Sequence, residues 1–199
     1  MFFRREKPGG PVDFIVAGLG NPGMQYEGSR HNAGFLALDA LAEKLAADVT
    51  RVKFRALTGE GRLGDKRVLL LKPQTFMNLS GEAVTQAMRF YRLPPARTLI
   101  LFDDISLPVG VVRVRRKGSD GGQKGMRSII DLADSEDFPR IKIGIGAKPH
   151  PDYDLAAWVL SKFTKEETPL LADAVKRAAE AACLIVEGDI DGAMNRYSK

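Results

Sequence analysis

His31 and His150 are the only imidazoles in this chain, and their settings differ in what they allow. His31 stands directly before a helical repeat of apolar residues (Phe35, Leu38, Leu41, Ala42, Leu45) that Asn32 is placed to cap. The positive end of a helix dipole disfavours imidazolium and keeps the ring neutral, as a general base must be. A lone histidine is more often structural; His31 needs a carboxylate to hold its tautomer and stabilise the proton it takes. Asp103 and Asp104 end the apolar run 99–102, and open α/β sheets build their sites at such C-terminal strand ends. Asp103 is the candidate partner, although a solvated strand end or an Asx turn before Pro108 explains the spacing equally well. His150, between Pro149 and Pro151 in a polar loop, reads as exposed and inert.

Residues 18–23 (GLGNPG) fit the dinucleotide fingerprint G-x-G-x-x-G and follow a strand-like run. The fingerprint needs a helix to begin inside it, whereas Tyr26, Glu27, Gly28 and Ser29 continue the loop to Asn32. Asp39, at the spacing of a ribose-binding acid, falls inside a helix. A nucleotide-dependent oxidoreductase therefore ranks last. Asn78, in the string TFMNLSG, is by type alone as good a turn residue or helix cap as a ligand. With neither paired cysteines nor a His-Glu-x-x-His helix, no zinc site is expected, and no cofactor. Met77, Met88, Met126 and Met194 read as filler of core and loops, and Trp158 as a packed helix residue.

The elements that would carry these residues follow from pattern. Residues 14–17, 98–102 and 141–145 read as buried strands. Segments 52–58 and 67–71 suggest a hairpin around a turn region holding Gly59, Gly61 and Gly64. Ser80 is placed to cap a helix that buries Val84, Ala87, Met88 and Tyr91 and stops before Pro94. Along 109–115 the alternation sets Val112 and Val114 against Arg113 and Arg115. A glycine-rich loop at 118–125 precedes a helix over 126–132. Thr164 and Glu167 form a capping box for a long helix with Leu171, Ala174, Val175, Ala178, Ala182 and Ile185 on its buried stripe. Strands interleaved with helices predict an α/β fold, a single domain with a twisted mixed central β-sheet flanked by helices.

At 199 residues and 44% hydrophobic content the chain suits one core. We expect a flexible N-terminal extension over residues 1–11 and one domain over 12–199. The start MFFRR lacks the apolar run that a twin-arginine signal requires, and no segment approaches the roughly 18 apolar residues of a membrane span. A single cysteine, Cys183, excludes a disulfide framework and points to a reducing, cytoplasmic setting. Thirty Lys and Arg against twenty-five Asp and Glu give a net charge of +5, which favours a polyanion where the charge is concentrated. Arg113, Arg115, Arg116, Lys117, Lys124, Arg127, Arg140 and Lys142 crowd into one stretch.

Taken together, GLGNPG at 18–23, SRHNAG at 29–34, KPQTFMNLSG at 72–81, the segment 103–110 with its basic strand, and IGIG at 143–146 resemble the bacterial peptidyl-tRNA hydrolase family in order and spacing. The resemblance covers roughly residues 12–195. It implies His31 as general base, Asp103 as its partner, and Asn21 and Asn78 as substrate-positioning residues. Water activated by His31 would then cleave the ester between a peptide and the 3′ end of tRNA without a metal. It places Tyr26 and Phe76 at the tRNA or peptide end of the cleft, with Arg113, Arg115, Lys117 and Lys142 neutralising acceptor-arm phosphates. It also implies a monomer. One departure stands out: the family commonly has His-Asn in its second glycine-rich loop, where this chain has Gln123-Lys124. Lysine donates but cannot accept, so Lys124 is carried over as a binding residue only. The rival is a non-catalytic RNA-binding protein on the same fold, similar to plant organellar splicing factors; a pure binder has no chemical need for His31, Asp103, Asn21 and Asn78 together.

Overall fold

A computed structural model describes residues 11–198; most of the extension expected over 1–11 lies outside them. Seven strands form one sheet in the order β2-β3-β4-β1-β5-β7-β6. They are β1 (Phe14–Gly18), β2 (Arg51–Lys53), β3 (Ala56–Leu63), β4 (Lys66–Pro73), β5 (Thr98–Asp104), β6 (Val112–Arg115) and β7 (Arg140–Gly144). β4, β1, β5 and β7 run parallel at the centre, and antiparallel pairing at both flanks makes the sheet mixed. Parallel strands covered on both faces should be apolar throughout, and β1 and the first six residues of β5 are buried without a break. Helices α1 (Ala33–Lys44), α5 (Glu167–Glu187) and α6 (Ile190–Tyr197) cover one face. Helices α2 (Ser80–Tyr91) and α3 (Lys124–Ala133) cover the other. The short α4 (Leu155–Leu160) stands beyond the C-terminal strand ends.

Several local readings change. Gly59 and Gly61 lie inside β3, and the turn is confined to residues 64 and 65. Both glycines admit a close neighbour: a Cβ on Gly59 would sit 2.5 Å from the Asp48 carbonyl oxygen, and one on Gly61 would sit 2.9 Å from Leu45 Cβ. The expected strand 52–58 is split by a turn at Phe54 and Arg55, both at positive φ. Ser80 is the first residue of α2 and not its cap; its hydroxyl donates to the Met77 carbonyl of the preceding 3-10 turn. The helix after the glycine-rich loop starts at Lys124, capped by Gln123. Val175 is half-buried, while the rest of the predicted α5 stripe is buried.

The capping box forms as expected: Thr164 N–H donates to Glu167 at 2.8 Å, and Glu167 N–H donates to Thr164 Oγ1 at 3.2 Å. The same Glu167 carboxylate holds Arg30 through two bonds of 3.1 and 2.7 Å. Arg30 is 2% exposed; its guanidinium also donates to the Ile145 carbonyl and lies 3.9 Å from the Trp158 ring centroid. One charged residue thus ties the turn before α1 to β7, α4 and α5. Burial raises the Glu167 carboxyl, but hydrogen bonds from Arg30 and Thr164 outweigh it and hold the group below the usual glutamate range. Such stabilisation is full above the unfolded glutamate value and is lost as pH falls through the lower folded one. Glu167→Gln should therefore lose about 2–3 kcal/mol at neutral pH, less than for a fully buried pair. Thermal melts should show that gap narrowing below about pH 4; a gap independent of pH contradicts the ion pair.

Candidate active site

The C-terminal ends of the parallel strands converge on a cleft of about 710 Å³ lined by Asn21, His31, Asn78, Asp103 and Lys124. A second cavity of about 530 Å³ lies at the opposite strand ends among Asp13, Lys66, Arg97 and Glu187. Its lining holds neither of the histidines, so it offers no such proton acceptor.

His31 sits in a 3-10 turn, Arg30–Asn32, that feeds α1. Gly34 lets this helix start press onto the sheet: a Cβ there would lie 2.3 Å from the Leu101 carbonyl oxygen of β5 and 2.6 Å from the Leu19 backbone nitrogen. The contact brings His31 Nδ1 within 2.8 Å of Asp103 Oδ2, across 72 residues of sequence. Asp103 is 3% exposed, and the His31 side chain is 12% exposed. A carboxylate accepts, so Nδ1 carries the proton in the neutral ring and the Nε2 lone pair is left to receive one. Asp103 Oδ1 accepts a second bond, 3.0 Å, from Gln123 Nε2.

Asn32 occupies the cap position of α1, but its side chain does not cap. It binds the backbone of Asn21 instead, accepting from its N–H at 2.9 Å and donating to its carbonyl at 3.0 Å. This locks loop 19–23 beside His31. Asn21 Oδ1 in turn accepts from the Met77 N–H at 2.8 Å, which fixes the amide and leaves its NH₂ for a ligand. Asn78 is exposed on the cleft with no internal hydrogen bond among the described residues. Phe76 is 56% exposed and meets Tyr26 edge-on at 6.5 Å between ring centroids. Leu155, Ala156, Val159 and Leu160 of α4 form an apolar wall. Sequence reading missed that wall, although Asp154, whose side chain accepts from Ala157 N–H, is a recognisable cap signal.

The basic residues separate. Arg113 and Arg115 lie on edge strand β6, opposite Lys142 and Arg140. Arg140 is buried and donates to the carbonyls of Phe138, Ser119 and Glu136, so it belongs to the frame. Lys142 is bound to Asp104 at 2.9 Å. Burial raises the Asp104 carboxyl, and bonds from Ser106 and Lys142 bring it below the usual aspartate range. Lys117 pairs with Asp137 at 3.6 Å. Lys124 is exposed on the rim of the cleft, in the first turn of α3. His150 is exposed and stacks edge-on with Tyr153. Among the described residues no group of three or more His, Cys, Asp or Glu is placed to hold a metal ion, and no helix is long and apolar enough to cross a membrane.

A histidine held by a buried carboxylate, in a cleft with amides and cations at its rim, defines a hydrolase-type site on an α/β sheet. The peptidyl-tRNA hydrolase family model matches residues 15–199. A peptidyl-tRNA hydrolase of Caldanaerobacter subterraneus is 54% identical over 93% of this chain and 99% of its own length. One from a Thermoanaerobacter species is 49% identical over the same shares. The crystal structure of the Acinetobacter baumannii peptidyl-tRNA hydrolase superposes with a TM-score of 0.88 at 34% identity, covering 96% of this chain and 97% of that one. The chain belongs to the peptidyl-tRNA hydrolase family.

Proposed function

We propose that this protein hydrolyses the ester joining a peptide to the 3′ end of tRNA, releasing both, with His31 as general base and Asp103 as its partner. The observation that carries the mechanism is the 2.8 Å contact between His31 Nδ1 and a carboxylate that is almost fully buried. His31 Nε2 takes a proton from water, the hydroxide attacks the ester carbonyl, and Asp103 stabilises the imidazolium. That proton then goes to the leaving 3′ oxygen of the ribose.

Asn21 and Asn78 position the peptide. Because the Met77 N–H holds Asn21 Oδ1, the amide turns its N–H donors to the substrate. Those suit the carbonyl oxygen of an acylated amino group and give nothing to a free ammonium, which also meets Lys124 at the rim. Phe76 and Tyr26 cover the chain or stack on a terminal base. Arg113, without an internal partner among the described residues, is the main phosphate contact, with Arg115 on the same strand and Lys124 at the cleft rim as further ones. Lys142, already matched by Asp104, contributes less. Residues 12–199 act as one catalytic unit, monomeric and cytoplasmic, where translation supplies the substrate.

Cleavage of an N-acetylaminoacyl-tRNA beside a short N-acetylaminoacyl ester lacking tRNA separates the two halves of this reading. The wild-type protein cleaves both. Arg113→Ala should weaken only the tRNA substrate and reduce the salt slope of binding by about one. Equal loss on both substrates contradicts a phosphate role.

A further inference from the structure

Gln123 turns its side chain inward from the glycine-rich loop and is 8% exposed. Both ends of its carboxamide are engaged. Oε1 accepts from the Met126 N–H at 2.7 Å and so caps α3. That bond fixes which way the amide faces, because the flipped group would set NH₂ against N–H. Nε2 then points at the site, 3.0 Å from Asp103 Oδ1 and 3.1 Å from Met77 Sδ. The two oxygens of one buried carboxylate are thus divided, Oδ2 to His31 and Oδ1 to Gln123. Through Met77 the same amide touches the residue whose N–H is held by Asn21.

We propose that Gln123 is a positioning residue of the reaction: it holds the Asp103 carboxylate in the plane that meets His31 and disperses part of its charge. The inference rests on the reading of His31 as general base. A donor on Oδ1 fixes the side-chain rotation that aims Oδ2 at Nδ1. It also takes up part of the negative charge that Asp103 presents to His31. No other described charge does this. Asp104 is engaged by Lys142 and Ser106, Arg30 of the same turn is engaged by Glu167, and Lys124 and Asp154 are exposed on the cleft lining.

Two substitutions separate this role from helix capping. Gln123→Glu keeps an oxygen for the Met126 N–H and loses the donor; Gln123→Met loses both. For N-acetylaminoacyl-tRNA hydrolysis both variants should lose kcat by about 10- to 100-fold, the worth of a hydrogen bond to a charged group, with KM within about twofold. In Gln123→Glu the ionised carboxylate repels Asp103 and favours imidazolium, so the rising limb of the kcat/KM profile should move to higher pH. Thermal melts should place both variants below the wild type, Gln123→Glu because two carboxylates then share one buried site and Gln123→Met for want of its cap. If Gln123→Glu and Gln123→Met, the latter assayed below its melting range, both keep wild-type kcat and an unmoved rising limb, Gln123 only caps α3 and the inference is wrong. His31→Ala assayed in parallel keeps the two failures apart: an active His31→Ala overturns the general-base reading itself.

Discussion

His31→Ala should lower kcat for an N-acetylaminoacyl-tRNA by about 10²- to 10⁴-fold while leaving KM almost unchanged. Alanine removes the one group in the cleft whose lone pair is free and whose conjugate acid is stabilised by a buried carboxylate. Binding depends on other atoms, the amides of Asn21 and Asn78, the rings at positions 26 and 76, and the cations of β6 and α3. The loss therefore belongs to the chemical step. Single-turnover rates at saturating enzyme measure it, and turnover within tenfold of wild type would remove His31 from the mechanism.

Asp103→Asn should cost about as much, on the order of 10³- to 10⁴-fold in kcat, and the reason is directional. Gln123 must keep Oε1 on the Met126 N–H, so its Nε2 stays a donor toward position 103. The asparagine amide then satisfies Gln123 with its oxygen and turns its NH₂ toward His31 Nδ1. An NH₂ donor there makes Nδ1 the acceptor and places the ring proton on Nε2, the atom that has to receive the proton from water. The wrong tautomer becomes the stable one without any change of shape. Pre-steady-state rates, together with melts showing an intact fold, check this; rates near wild type would mean that Asp103 does not set the tautomer.

How far these relations could be read from sequence depends on where each partner comes from. His31 and Asp103 were legible because a helix start and a strand end each carry a local signal, and both belong at the C-terminal edge of an α/β sheet. Chemistry-bearing residues whose partners come from distant segments were less legible. Arg140 and Lys142 read as free positive charge until loop 118–123 and Asp104 are folded against them. Nothing local to Arg30 announces its partner Glu167, 137 residues on. Asn32 and Ser80 show a different limit. Each has the right residue type beside a helix start, but another partner, the Asn21 backbone for one and the Met77 carbonyl of the preceding turn for the other, took the side chain first. Gly59 and Gly61 show a third, since a glycine kept for a close neighbour is written with the same letter as one kept for a turn. Gln123 combines these limits: its position in a glycine-rich loop suggested flexibility, while its side chain is buried against the Asp103 carboxylate.

The most direct test is to follow release of an N-acetylaminoacyl group from labelled tRNA beside the same aminoacyl-tRNA with a free amino group, with a chelator present. The wild-type protein should release the blocked group rapidly and leave the free one attached, because the Asn21 donors suit the carbonyl of an acylated amino group and Lys124 at the rim repels an ammonium. Binding of both tRNAs without release of either would contradict the hydrolytic reading and make this chain an RNA-binding member of the family.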